Sequence, residues 1–203
     1  MKLLNHLIGE KIGDVRIFPI TIKIVLIFVF LILLSNFSSH YISLMLYRGE
    51  MIQLMKQSLV KDLKDVYTFS KTQYEIHNSG VSEQTCMKSI EEKSMLDFKN
   101  KNSMLLGVRG DGTIICQSSR AKRLASFPDK KALAIINNSS KKEIREGFIN
   151  FNFDGKSYFG VFKHNADWNI YFIRAEEFNE FFAHSTTIFT SMAIVIAVIT
   201  LLC

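Results

Sequence analysis

Residue types that carry enzyme chemistry occur in this chain, but their spacing matches no catalytic motif. The sequence contains no G-x-S-x-G, P-loop, H-E-x-x-H or C-x-x-C pattern, so it lacks the usual means of activating a nucleophile, cradling phosphate or holding zinc. A metal site needs two or more ligands at suitable spacing, and the five histidines are scattered: His6, His40, His77, His164 and His184. We therefore expect no catalytic residues, no metal and no cofactor, and predict that the chain is not an enzyme.

The side chains best suited to binding a small molecule are two arginines and three aromatic residues. An anionic metabolite needs directed N–H donors and an aromatic wall that excludes water. The basic cluster at 120–123 supplies the donors, and the predicted ligand-binding residues are Arg120, Arg123, Tyr158, Trp168 and Tyr171. Two alternatives stay open, because such a basic cluster is often a solvated loop and a single tryptophan is often a core residue.

Two apolar stretches are long enough to place the chain in a membrane. The first runs from Ile24 to Leu46, and the second, from Thr186 to Cys203, has no charged residue. About 18 to 20 apolar residues suffice to cross a hydrocarbon core. We predict a tail at 1–23, a first transmembrane helix at 24–47, one domain at 48–182 and a second, truncated transmembrane helix at 183–203.

The flanking charges predict the orientation of these helices. The tail carries four basic residues (Lys2, Lys11, Arg16 and Lys23) against two acidic ones, and short basic flanks stay in the cytoplasm. The central domain is then outside the cytoplasm, in a multi-pass membrane protein. The first stretch starts late, runs long and lacks a small-residue exit, so an uncleaved anchor is favoured over a signal peptide.

The net charge of +6 does not indicate a nucleic-acid partner. Beyond the tail, 21 basic and 17 acidic residues are interspersed rather than gathered into blocks, which is typical of a solvated surface.

Cys86 and Cys116 fall in the central domain, where a disulfide or two buried free thiols are both compatible with the sequence.

The sequence of the central domain predicts helices and an antiparallel sheet. Apolar residues at spacings of three and four (Ile52, Met55, Leu59, Leu63 and Val66) predict one face of a long helix that ends at 78–80, and this face is either core or a dimer seam. A weaker helix follows at 82–93.

Runs at 104–108 and 113–116 flank an Asp-Gly turn, which predicts a hairpin. After another helix opening at 127–129, runs at 147–153, 157–162 and 168–173 predict a meander. The last strand is expected to end at Arg174-Ala175, and Glu176, Glu177 and Glu180 lie near the start of the next helix, where negative charge favours the helix dipole.

This order of elements resembles the extracytoplasmic single Cache (PAS-like) sensor of bacterial transmembrane receptors. The run IGEKIGDVRIFPITIKIVLIFVFLILL also resembles the start of membrane-bound adenylate or guanylate cyclases with such a sensor. The resemblance implies an α+β, PAS/Cache-like antiparallel sheet with a long N-terminal helix. It further implies a small ligand, typically a carboxylate or an amino acid, held between the sheet and its helices.

These observations predict a membrane-anchored sensor that detects a small extracytoplasmic ligand, works as a homodimer through its long helix and relays binding through its transmembrane helices. No output module follows within the sequence. Two alternatives remain: the N-terminal fragment of a membrane-bound nucleotide cyclase, whose catalytic region is not in this chain, and a ligand-free envelope scaffold protein. The sequence does not identify the ligand or the output module.

Overall fold

The chain forms two compact units, Met1–Glu50 with Ser185–Cys203, and Met51–His184. The computed structural model describes residues 10–12, 15–17, 19–98, 100–141 and 146–202. The first nine residues of the predicted tail and Cys203 therefore lie outside the described residues.

The first unit contains a small hairpin and most of the apolar helical sequence. Strands β1 (Glu10–Ile12) and β2 (Val15–Ile17) pair antiparallel within the predicted tail. Helix α1 (Ile20–Asn78) begins directly after Pro19, since proline suits the start of a helix, and it continues into the second unit. Within the part of the chain that the structure describes, α1 is the one helix long and apolar enough to cross a membrane. The second predicted span falls in helix α4 (Phe178–Leu202) and stays a prediction.

The second unit is built on a five-stranded antiparallel sheet. Its elements are α2 (Glu83–Asp97), β3 (Met104–Val108), β4 (Ile114–Ser118), α3 (Lys130–Lys141), β5 (Glu146–Phe153), β6 (Lys156–Asn165) and β7 (Ile170–Glu177). The strand order is β4-β3-β7-β6-β5. The α+β class, the antiparallel sheet and the long N-terminal helix are thus confirmed.

Helices cover both faces of this sheet. On one face, which we call the α1 face, Met55, Leu59 and Leu63 of α1 pack with Cys86, Met87 and Ile90 of α2 against the strands. On the other, the α3 face, Phe127, Ala132 and Ile136 pack against side chains of all five strands. Because both faces are covered, every residue of the central strand β7 is buried.

The apolar stripe of α1 is part of the core. Met55, Leu59, Leu63 and Val66 are buried against the sheet, so of the two interpretations left open the core is correct and this stripe is not a dimer seam. The homodimer stays a proposal. Cys86 and Cys116 are both free and buried, and burial raises the pKa of the Cys116 thiol.

The last strand differs from its predicted bounds at both ends. It begins at Ile170 because Asn169 turns the chain with a φ of 52°. It continues to Glu177 because Glu176 and Glu177 pair with Phe159 and Tyr158 of β6. The predicted end at Arg174-Ala175 therefore falls short of the observed one, and Glu176 and Glu177 directly precede α4 while Glu180 lies in its first turn.

Candidate functional site

Arg174 is a buried arginine in the middle of the domain. Side chains alternate along β7, so Arg174 follows Ile170 and Phe172 onto the α1 face, and only 4% of it is exposed. A buried guanidinium is costly unless its N–H groups are hydrogen-bonded. Its Nη1 donates to the carbonyl of Ala175 at 2.7 Å, and its Nη2 donates to Glu176 Oε1 at 2.5 Å and to Asp62 Oδ2 at 3.2 Å.

This contact joins two elements that are distant in sequence. Asp62 belongs to α1 and Arg174 to β7, which runs without a gap into α4. The ring of Phe98, just after α2, lies 4.7 Å from the guanidinium carbon of Arg174. The side chain of Arg174 therefore contacts α1, its own strand β7 and the residue that follows α2.

Glu176 extends the network to residues 100–103, which we call the junction loop. Its two carboxylate oxygens accept hydrogen bonds from the Ser103 hydroxyl at 2.7 and 2.8 Å, and Oε2 also accepts from Asn100 Nδ2 at 3.1 Å. Glu176 thus bonds both to Arg174 of its own strand and to the junction loop, so its buried negative charge is fully hydrogen-bonded.

Two further glutamates hold the same loop. The carboxylate of Glu180 accepts the backbone N–H groups of Lys101 at 3.1 Å and Asn102 at 2.8 Å. Glu177 accepts the Asn102 side-chain amide and pairs with Lys156 at 3.5 Å. The end of β7 and the first turn of α4 are therefore fastened to the junction loop by three successive carboxylates.

An open cleft of about 630 Å³ lies between α1 and α2, with Arg174 among its lining residues. We call it the Arg174 cleft. Phe69 and Phe98 supply aromatic surface. Its charged lining residues are three basic and three acidic: Lys61, Lys93 and Arg174, and Asp62, Asp65 and Asp97. Such a lining can pair with a positive and a negative charge on the same small polar molecule.

Tyr158 and Tyr171 lie on the same face of the sheet, the α3 face, but at opposite ends of the β6–β7 pair, since Tyr158 pairs with Glu177 and Tyr171 with His164. Tyr158 is buried and stacks on Phe151 with ring centroids 5.6 Å apart, while Tyr171 packs against Phe162 and His164. Burial, and next the negative charge of Glu177, raise the pKa of Tyr158 to about 12, so its hydroxyl stays protonated at neutral pH.

Trp168 lies on the opposite face of the sheet. Its indole Nε1 donates to the carbonyl of Ser70 at 2.9 Å, and its ring stacks on His77 at a centroid distance of 5.3 Å. With 8% of its surface exposed, Trp168 is a core residue that ties the β6–β7 turn to α1.

The two arginines lie elsewhere. Arg120 is exposed. Arg123 lines a second cleft of about 550 Å³, where it bonds both carboxylate oxygens of Glu91 at 2.8 and 3.1 Å. The structure therefore does not bring the five predicted residues into one pocket, since they lie on two sheet faces and at the surface.

The sequence reasoning missed Arg174. The signal that identifies it is its position two residues after Phe172 and four after Ile170, which places it on a buried face of a strand. A charge at such a position requires a buried partner. As for metal binding, no group of three or more His, Cys, Asp or Glu side chains is placed to hold an ion among the residues described.

The fold and the Arg174 cleft define an α+β domain with a charged cleft between α1 and α2. No family model and no curated protein matches the chain. Among solved structures, it is similar to a methyl-accepting chemotaxis protein from Vibrio parahaemolyticus RIMD 2210633, with a TM-score of 0.49 and 13% identity over 68% of this chain and 99% of that one. It is also similar to a Cache chemosensory domain described in terms of carboxylic acid recognition, with a TM-score of 0.43 and 12% identity over 62% and 97%. Because both TM-scores lie below 0.5, we assign no function from either similarity.

Proposed function

We propose that this chain is the sensor region of a membrane receptor, with a Cache-like domain that binds a small molecule outside the cytoplasm and relays binding through α1 and α4. The observation that carries the proposal is the Asp62–Arg174–Glu176 network. It joins α1, which contains the apolar stretch, to β7, which continues into α4. A domain that links its two connecting helices through a few polar bonds is suited to couple ligand binding to their movement.

Coupling of this kind needs a ligand that favours one arrangement of the network over another. Packed cores switch between discrete arrangements rather than deforming smoothly. The hydrogen bonds of Arg174, Glu176 and Glu180 allow such discrete arrangements, because each bond is either present or replaced by a bond to another partner. A movement of β7 would reach α4 directly, since Glu177 and Phe178 are consecutive residues.

The remaining elements of the proposal follow from the sequence. The apolar part of α1 anchors the chain in a bacterial inner membrane, and the basic tail keeps the N-terminus in the cytoplasm. The receptor works as a homodimer, and its ligand is an anionic metabolite or an amino acid. Three of the ligand-binding residues predicted from the sequence keep a proposed role. Tyr158 and Tyr171 are proposed to contact a ligand on the α3 face, and Arg123 is proposed to contact one in the cleft that it lines.

Ligand-dependent stability tests the sensor proposal. The full chain in lipid nanodiscs is heated with a panel of carboxylic acids and amino acids, followed by circular dichroism. A ligand present at about 100 times its dissociation constant adds roughly 2.7 kcal/mol to the free energy of unfolding, which raises the melting temperature. If no compound in a broad panel raises it, the chain is better explained as a scaffold.

Hydrogen exchange tests the relay. The backbone N–H groups of Lys101 and Asn102 bond to Glu180, so their exchange rates report whether α4 is held to the junction loop. We expect ligand to change these rates, with little change at the amides of β3. A ligand that binds without altering the exchange of either amide contradicts the relay while leaving binding intact.

A further inference from the structure

Asp62 is the replaceable partner of Arg174. The side chain of Asp62 is 38% exposed, whereas those of Arg174 and Glu176 are 4% and 8% exposed. Its contact is a single one of 3.2 Å, longer than the 2.5 Å contact between Arg174 and Glu176. A partly exposed ion pair contributes little to stability because water solvates the freed carboxylate. Exchange at Asp62 therefore costs much less than exchange at Glu176.

The cleft that opens beside Asp62 offers partners for a second charge. Asp65 is exposed on the same helix wall, and Asp97 lies across the cleft on α2, paired with Lys93 at 3.3 Å. With three basic and three acidic side chains, the lining has no excess of either charge. A simple anion would meet as many repelling groups as attracting ones.

The aromatic side chains give the cleft an apolar surface next to its charges. Lys93 Nζ lies 5.4 Å from the ring centroid of Phe69, and the Arg174 guanidinium lies 4.7 Å from that of Phe98. Both rings line the cleft. A short carbon skeleton between two opposite charges matches this combination.

We propose that the Arg174 cleft binds a compact zwitterion, such as an amino acid, whose carboxylate takes the place of Asp62 on Arg174. The ligand's ammonium group pairs with the carboxylate of Asp62 that has been released. This inference rests on the proposed function and gives the sensor a site on the α1 face, opposite to Tyr158 and Tyr171. The exchange breaks the bond between α1 and Arg174 and leaves the bond to Glu176 in place, so the link between α1 and β7 changes while the buried charges stay partnered.

The first experiment compares ligands that carry one charge with ligands that carry both. The full chain in nanodiscs is titrated calorimetrically with each of the twenty L-amino acids, and with acetate and methylammonium as the separate halves. We expect at least one amino acid to bind and each half to bind much more weakly than that amino acid. An acid without an ammonium group that binds as tightly as the best amino acid overturns the proposal.

The second experiment uses Asp62→Asn, which removes the competing carboxylate. Both ligands gain from the loss of this competitor, but only the amino acid also loses its ammonium partner, so its affinity relative to that of acetate should fall by about two- to fivefold, as expected for a partly exposed ion pair. A change in the ratio of two affinities cannot come from loss of folding, which lowers both equally. We avoid changing Arg174 itself, because its removal leaves Glu176 buried without its cation.

A matched pair of variants on α2 separates the Arg174 cleft from the second cleft, which Lys88 lines together with Arg123. Lys93→Gln removes a cleft cation from the Lys93–Asp97 pair, and Lys88→Gln removes an exposed cation from the equivalent Lys88–Glu92 pair. We expect Lys93→Gln to alter amino-acid affinity by about two- to fivefold and Lys88→Gln to leave it unchanged. If Asp62→Asn leaves the ratio of the two affinities unchanged and Lys93→Gln leaves the amino-acid affinity unchanged, the sensor proposal stands but this site is wrong. If nothing binds the wild type, both proposals are wrong.

Discussion

At the scale of single residues, the polar side chains of this domain mostly serve to hold elements together. Asp129 is one example. Its Oδ1 accepts the N–H groups of Lys131 at 3.1 Å and Ala132 at 3.0 Å, which caps α3, and its Oδ2 accepts Asn152 N of the edge strand β5 at 3.2 Å. These bonds, that of Ala132 first, lower the pKa of Asp129 below its ordinary value of 3.8.

We predict that Asp129→Ala lowers the free energy of unfolding by about 1 kcal/mol, the usual effect of losing an N-cap. Because the pKa is lowered in the folded state, this stabilisation is present above pH 3.8 and is lost as the pH falls through the folded value. Chemical denaturation at pH 7 and at pH 3 measures it. Asp129→Asn is the control, since it keeps one acceptor oxygen and should lose less. Equal stability of Asp129→Ala and wild type at pH 7 contradicts the capping role.

Tyr158 gives the opposite dependence on pH. Its pKa is raised from 10 to about 12, so its stabilising effect is complete below pH 10 and declines between pH 10 and 12. We predict that the free energy of unfolding of wild type falls over this interval by about 1 to 2 kcal/mol more than that of Tyr158→Phe. Urea denaturation at pH 9, 10 and 11.5 measures the difference, and parallel curves for the two proteins would falsify the assignment.

At the scale of elements, α1 is held to the sheet by polar contacts at two places in addition to its apolar stripe. One is Asp62 with Arg174. The other lies towards the end of α1, where Trp168 donates to the carbonyl of Ser70 and Asn165 donates to its hydroxyl at 2.9 Å. Ser70 and Asn165 are both fully buried. The second contact fixes the helix against the β6–β7 turn.

We expect Trp168→Phe to lower the free energy of unfolding by about 1 to 2 kcal/mol, because it removes a buried hydrogen bond and part of the ring volume. The measurement is urea denaturation followed by far-UV circular dichroism. Phe148→Leu is a matched aromatic control at a half-exposed position of β5, for which the change should stay within about 0.5 kcal/mol. A loss for Phe148→Leu as large as that for Trp168→Phe contradicts a special role for this contact.

At the scale of the whole molecule, the decisive property is where each part lies relative to the membrane. We predict that a reporter enzyme active only outside the cytoplasm is active when fused after His184 and inactive when fused at the N-terminus, as the basic tail and the apolar part of α1 require. The chain should also stay with the membrane fraction after an alkaline wash. Activity of the N-terminal fusion reverses the orientation, and release by the wash contradicts anchoring.

The local part of the fold was predictable because the signals are local. The spacing of Met55, Leu59 and Leu63 predicted a helix. The Asp111-Gly112 turn predicted the β3–β4 hairpin, in which Gly112 adopts a φ of 91°. The end of β7 was misplaced because pairing with β6 extends the strand through two glutamates, and such pairing is a tertiary effect.

The candidate site was predicted less well, as Trp168 and Tyr171 show. Three positions apart along the predicted strand, they lie on opposite faces of the sheet, as the alternation of side chains along a strand requires. The expectation of a shared pocket rested on residue types and did not apply this alternation. The structure separates them and shows a charged cleft around Arg174 instead.

The sequence by itself determined the helices, the strands, their turns and the apolar stretch of α1, since each depends on propensity and periodicity within a few residues. The tertiary structure alone decided which sheet face receives α1 and which side chains meet there. Asp62 and Arg174 are 112 residues apart. A buried charge requires a partner. The sequence therefore shows that Arg174 needs a carboxylate, whereas the identity of that carboxylate depends on how the helices pack on the sheet.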